Sequence, residues 1–178
     1  RPQGIAPNQT QKVGILGAGM MGAGIAYATA SKGITVVLKD VSIEQAEKGK
    51  AYSQKILDKQ ISQGRISAER AAQVLANIHP TAQAADLQGC DLIIEAVFEN
   101  PQLKAQVTQE AEVFLAEQGV MASNTSTLPI SGLAQAAQDQ QRFIGLHFFS
   151  PVDKMPLVEI IKGKNTSADT LAKAYDFV

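Results

Sequence analysis

The stretch Gly17-Ala18-Gly19-Met20-Met21-Gly22-Ala23-Gly24 constrains this chain more than any other. An apolar run, Val13 to Leu16, stands before it, and a helix-like stretch, Ile25 to Ser31, follows. Strand, glycine turn, helix is the context in which G-x-G-x-x-G acquires a physical meaning. Gly17 permits the tight turn, Gly19 lets the backbone approach a pyrophosphate, and Gly22 lets helix and strand pack closely. The start of the helix then turns its free N–H groups and the positive end of its dipole towards phosphates. Taken alone, the motif also fits a nucleotide-free turn whose glycines serve packing only. A second feature favours the dinucleotide. Ile34 to Lys39 reads as the next strand, and Asp40 closes it, 23 residues after Gly17. An acid there accepts hydrogen bonds from the ribose hydroxyls and repels a 2′-phosphate, which points to NAD over NADP. Lys39, beside it, is the one feature that pulls the other way.

The 178 residues suit one domain, and near-neutral charge (net −1) gives no argument for nucleic acid or an anionic membrane as partner. No apolar run reaches the roughly 18 residues that cross a bilayer. The single cysteine, Cys90, allows no internal disulfide and fits a reducing, cytoplasmic setting. It precedes an apolar run, so a buried, inert thiol is the favoured reading. Arg1 to Gln11, with two prolines and a glycine, reads as a linker or arm ahead of a domain over residues 12–178.

Beyond Asp40, the segment before the next strand predicts two helices. Ser42 caps the first, which runs from Ile43 to Gln63 with Ala46, Ile56, Leu57 and Ile61 as a partial stripe and Gly64 as its stop. Ser67 caps the second. Lys48, Lys50, Lys55 and Lys59 lie along the first. Their plain reading is a solvated face; the sharper one is that one or two meet the phosphates of a large anionic substrate. Asn77 to Thr81 is a short strand or turn, with His79 held extended by Pro80 and read as structural. Asp91 to Val97 is a nearly continuous apolar run, as in a buried parallel strand, interrupted by Glu95. Pro101 suits a first helical turn, Leu103 to Gln118 has a helical pattern, and Gly119 would stop it. Val120–Ser123, Arg142–Leu146 and Leu157–Ile161 read as further strands, the last at the sheet edge. A final helix is capped by Thr166 or Ser167. The alternation predicts an α/β, Rossmann-like, doubly wound and mostly parallel sheet with a two-helix insertion after the second strand.

In such sheets ligands bind beyond the carboxyl ends of the strands. Five strand ends deliver polar groups there: the glycine turn, Asp40, Glu99 with Asn100, Ser126 and His147. His147 is the one good acid–base candidate near neutral pH. Twelve residues on, Glu159 interrupts an apolar run, where a carboxylate is costly unless paired. A His147–Glu159 pair would fix the imidazole tautomer and stabilise the imidazolium. A core histidine with Glu159 facing solvent is an equal alternative. Asn124 to Thr127 could likewise cap the next helix rather than serve a site. Two histidines and one cysteine without ligand spacing imply no metal. Ser126 lacks the G-x-S-x-G setting of a hydrolase nucleophile.

VGILGAGMMGAGIAY, EAVFEN, ASNTSTLPI and GLHFFSPVDKMPLVEII, in this order and spacing, resemble the NAD-binding domain of L-3-hydroxyacyl-CoA dehydrogenases from about Lys12 onward. The IHPT and MPLVEII wording is similar to the multifunctional form, as in the alpha subunit of the bacterial fatty acid oxidation complex. There an enoyl-CoA hydratase/isomerase domain precedes this one and a thiolase subunit is the partner. The resemblance implies His147 as catalytic base, Glu159 as its carboxylate partner and Ser126 as a contact of substrate and nicotinamide. It implies Asp40 as the ribose acid, and Met21, Phe98, Glu99, Asn100 and Lys104 as cofactor contacts beside Gly17, Gly19 and Gly22. The reaction implied is oxidation of the C3 hydroxyl of an acyl-CoA by NAD in fatty acid β-oxidation. Ser150 stands where the family usually has asparagine; it keeps a hydrogen-bonding group for the nicotinamide on a shorter side chain. The family's helical substrate and dimerisation domain does not follow within these residues, so weak turnover by this segment alone is expected. A non-catalytic NAD-binding module, or a dehydrogenase of another hydroxy acid or amine, are the competing readings.

Overall fold

A computed structural model describes all 178 residues. Seven strands form one sheet in the order β3-β2-β1-β4-β5-β6-β7. They are β1 (Lys12–Leu16), β2 (Thr35–Lys39), β3 (Ile78–Thr81), β4 (Cys90–Glu95), β5 (Leu115–Ser123), β6 (Phe143–Phe148) and β7 (Val158–Lys162). Every neighbouring pair is parallel except β6 with β7, which is antiparallel. The helices are α1 (Met20–Ser31), α2 (Ile43–Ser62), α3 (Ala68–Ala76), α4 (Pro101–Glu112), the single turn α5 (Ile130–Leu133) and α6 (Ala168–Phe177). The strand order reverses between β1 and β4, and at such a switch point two loops diverge and leave a crevice at the carboxyl edge.

Alternation along the central strands sorts the core into two layers. Val13, Ile15, Val36, Leu38, Leu92, Ile94, Ile144 and Leu146 pack towards α1, α2, α3 and α6. Val37, Ile93, Met121 and Phe143 face the opposite layer, under α4, α5 and Leu87. The helices start where short polar side chains meet their first free amides. Ser42, Ser67, Asn100 and Ser167 accept from Gln45, Arg70, Leu103 and Thr170 respectively. Gly64, at φ +69°, ends α2 in the left-handed region.

Two features differ from the sequence reading. The inward stripe of α2 is Ala46, Gly49, Ser53 and Leu57, whereas Ile61 is exposed. Small residues prevail because α2 sits so close to the glycine turn that a Cβ at Gly49 would lie 2.8 Å from both Ala18 Cβ and Leu38 Cδ2. The helix expected over Leu103–Gln118 ends at Glu112, and Gly119 does not stop it. Leu115 already pairs with Cys90 in the sheet, and the register then slips so that Leu92 faces Val120. Gly119 lies in this irregular stretch, close against the Cys90 carbonyl. Arg1 to Gln11 forms no helix or strand, but Arg1 and the Asn8 amide both bind Asp176 on α6. No helix is long and apolar enough to cross a membrane.

Candidate cofactor and catalytic site

The glycine turn is held by its neighbours. Gly17 donates to the Lys39 carbonyl at 2.8 Å and has φ +99°. A Cβ on it would meet the Ala96 carbonyl oxygen at 2.8 Å, so the β1 and β4 exits touch here. At Gly22 a Cβ would lie 1.7 Å from the Gly17 carbonyl oxygen, closer than any atom can sit. At Gly19 it would meet nothing within 4 Å: that side of the turn is open. Helix α1 has no side-chain cap, and the Ala23 amide is the first to find a carbonyl, at Gly19. Its opening amides therefore point out at the carboxyl edge as donors for an anion.

Asp40 closes one flank. Its Oδ2 accepts from the Ala18 amide at 2.8 Å and its Oδ1 from the Val41 amide at 2.6 Å. Two backbone bonds orient the carboxylate, and each oxygen keeps a lone pair for a ribose hydroxyl. A groove lined by Leu16, Gly17, Asp40, Val97 and Val107 runs beside it.

On the other flank, the loops after β4 and β5 are clamped together. Glu99 accepts from Thr125 Oγ1 at 2.7 Å and from the Ser126 amide at 3.2 Å. Thr125 Oγ1 also accepts from the Leu128 amide, so Thr125 is the residue that shapes this turn. Ser126 is exposed and its hydroxyl makes no hydrogen bond within the chain. Asn124 Oδ1 accepts from the Phe148 amide at 2.9 Å, tying the β5 exit to the residue after His147. The Asn100 side chain caps α4. Phe98 is 85% exposed beside it. Lys104 is 1% exposed: its ammonium lies inside, on Glu95 Oε2 at 2.7 Å, and not on the open surface.

His147 and Glu159 are directly opposed in the antiparallel β6–β7 pair. Their side chains meet at 2.9 Å between Nδ1 and Oε1. The imidazole is mostly buried and stacks at a tilt on Phe149, 4.5 Å between ring centres, while the carboxylate side chain is 54% exposed. The two open alternatives thus merge, since Glu159 both faces solvent and pairs. Ser150, just beyond, approaches the Met20 sulfur at 3.4 Å, which brings the β6 exit against the start of α1. Met20 is exposed at that contact, whereas Met21 is half-buried against the core.

These contacts form one arc along the carboxyl edge, from Asp40 through the glycine turn, Glu99 and Ser126 to His147. The clamp by Glu99, the Asn124 anchor and the Met20–Ser150 contact carry no motif of their own. Only the polar residue types in the EAVFEN and ASNTST stretches could have signalled the first two; Met20 and Ser150 lie outside both. Outside the arc, Cys90 is fully buried, and that burial pushes its thiol up to about 11, which keeps it protonated and unreactive. His79 is exposed within β3, and Lys48, Lys55 and Lys59 are exposed along α2 with Lys50 half-buried. No group of three or more His, Cys, Asp or Glu side chains could hold a metal ion.

Residues 12–178 match the family described as 3-hydroxyacyl-CoA dehydrogenase, NAD binding domain. The chain belongs to this family. This NAD-binding domain is similar to the (S)-3-hydroxybutyryl-CoA dehydrogenase PaaH1 of Ralstonia eutropha, at 39% identity and a TM-score of 0.89 over 94% of this chain and 60% of that one. A 3-hydroxybutyryl-CoA dehydrogenase of Escherichia coli K12 matches at 30% identity and 0.90, over 96% and 37%. The dehydrogenase part of multifunctional enzyme 1 from C. elegans matches at 28% and 0.85, over 98% and 40%. The domain thus spans 60% or less of these relatives. Its residues fit NAD: the open face at Gly19, the uncapped start of α1 and the oriented Asp40 carboxylate suit the pyrophosphate and a ribose with free hydroxyls.

Proposed function

We infer that this domain performs the chemical step of an NAD-dependent 3-hydroxyacyl-CoA dehydrogenase, converting L-3-hydroxyacyl-CoA to the 3-ketoacyl thioester in fatty acid β-oxidation. The observation that carries this reading is the His147–Glu159 pair on the same edge as the glycine turn. NAD, when bound, supplies the acceptor for the hydride leaving C3. With Nδ1–H donating to Glu159, the lone pair of His147 lies on Nε2, which takes the proton of the C3 hydroxyl. Glu159 holds that tautomer and stabilises the imidazolium formed as the proton arrives. Ser126, with its free hydroxyl, orients the reacting oxygen. Asp40 receives the adenosine ribose, and Gly17, Gly19 and Gly22 seat the pyrophosphate. Met21, Phe98, Glu99, Asn100 and Ser150 flank the cofactor. Lys104 acts from below, because its charge is turned inward.

Partners follow from the multifunctional resemblance: a helical substrate domain downstream, a hydratase/isomerase domain upstream, and a thiolase subunit, in the cytoplasm. The C. elegans relative is a multifunctional enzyme, in keeping with that arrangement. The test is oxidation of 3-hydroxybutyryl-CoA with NAD by the chain joined to the helical domain, followed by reduced-cofactor absorbance. His147→Ala should lose at least about 10²-fold in turnover. An unaffected variant would sink the base role. Retained turnover on simple hydroxy acids with none on acyl-CoA would favour a related dehydrogenase. Titrating this domain with NAD and NADP tests Asp40 separately: NAD should bind tighter, and equal affinities would overturn the role.

A further inference from the structure

Beneath the site, Lys104 is paired with a buried carboxylate, Glu95, to which the chemistry above gives no role. Glu95, the last residue of β4, is fully buried, and Lys104 on α4 is 1% exposed. Lys104 Nζ donates to Glu95 Oε2 at 2.7 Å and to the Val97 carbonyl at 3.2 Å. Glu95 Oε2 also accepts from the Val97 amide at 2.8 Å, and Oε1 accepts from Ser123 Oγ at 2.5 Å. Well-packed apolar residues of similar volume are commonly as stable as such a buried pair. Its neighbours in the same strands, Ile93, Ile94, Met121 and Ala122, are apolar and buried. Stability alone is therefore a poor reason for charges here.

Position supplies a better one. The pair lies where β4 and β5 leave the sheet, below both loops. Lys104 Nζ is 4.0 Å from Glu99 Oε2, and that same oxygen accepts from Thr125 Oγ1 while its twin accepts from the Ser126 amide. One line of contacts runs from Ser123 through Glu95, Lys104 and Glu99 to Ser126. We propose that Glu95 is a positioning residue for the Ser126 turn: it fixes the Lys104 ammonium under Glu99 and so keeps that carboxylate clamped on Thr125 and Ser126. The contacts stand by themselves; their consequence for NAD rests on the reading of this edge as the cofactor site. Without the Glu95 charge, Lys104 turns to Glu99, the other carboxylate within 4.0 Å, and draws it off the turn.

The test is ¹⁵N relaxation of this domain with and without Glu95→Gln, alongside calorimetric titration with NAD. In the wild type the Thr125 and Ser126 amides should have order parameters of about 0.85, falling below about 0.6 in the variant. NAD affinity should fall about tenfold. Glu99→Ala should loosen the same two amides, and adding Glu95→Gln to it should loosen them no further, because both act through one clamp. A merely structural Glu95 would give additive loosening, which overturns the proposal, as would unchanged amides in folded Glu95→Gln. The charge-free variant Glu95→Gln/Lys104→Met, in which no ammonium remains to draw Glu99 off, should keep both amides near their wild-type order; loosening there would overturn the proposal even if Glu95→Gln alone does not fold. Failure of the wild type to bind NAD would sink the cofactor reading, while the relaxation result still decides the clamp.

Discussion

Single residues at this edge are constrained for different physical reasons, and those reasons set what a substitution does. Gly22 is constrained by space. A methyl group there would sit 1.7 Å from the Gly17 carbonyl oxygen, and that oxygen is backbone. Gly22→Ala must therefore push α1 away from β1, at a cost of about 1–3 kcal/mol, as overpacking does. Denaturant unfolding should read that loss, and the NAD titration should read a larger one, because the displaced helix start no longer faces the phosphates. Stability and affinity both equal to wild type would contradict the packing role. Asp40 and His147 are constrained by hydrogen bonding instead. Each has one face already occupied, by the Ala18 and Val41 amides or by Glu159, and that occupation aims the other face. Both stood out in the sequence because each lies at the carboxyl end of a strand-like run, where such folds place ligands.

Elements show where hydrophobic pattern is and is not enough. Most strands were readable from their apolar runs, three helix starts from a hydroxyl residue at or beside the N-cap and that of α4 from Pro101, whose cap, Asn100, the structure supplies. The inner face of α2 was not, because periodicity weighs large apolar residues, and this face is selected for smallness at Gly49. The end of α4 was not, because residues 113–119 leave the helix to rejoin the sheet beside Cys90, a pairing between distant positions. Helix α4 also depends on its one inward charge. Lys104→Met should destabilise the domain by about 3–5 kcal/mol, since it leaves Glu95 buried without a countercharge. The neutral double variant Glu95→Gln/Lys104→Met should recover most of that loss. Equal stability of both variants in denaturant unfolding would show that the pair is not coupled.

At the scale of the whole molecule, distant segments are joined by polar ties. The arm is one case. Asp176 is held at about 2, below its usual 3.8, chiefly by the Arg1 guanidinium and then by the Asn8 amide. A depressed carboxyl favours the folded state above its unfolded value, so this tie is fully present above about pH 4. It is lost as pH falls through about 2. A proton titration followed at Asp176 should show that low midpoint, and Arg1→Ala should return it towards 3.8; an ordinary midpoint with Arg1 in place would refute the tie. The site is the larger case, an arc assembled from five strand exits. The sequence by itself determined the αβ alternation and the glycine turn followed by Asp40, and it singled out His147 as the acid–base candidate, because these depend on local periodicity and on residue chemistry. Only the tertiary structure decided that Glu159 meets His147, that Glu99 clamps Ser126, and that Lys104 faces inward. Those follow from strand register and helix packing, which bring together residues 12, 27 and 9 positions apart in ways that no local pattern records.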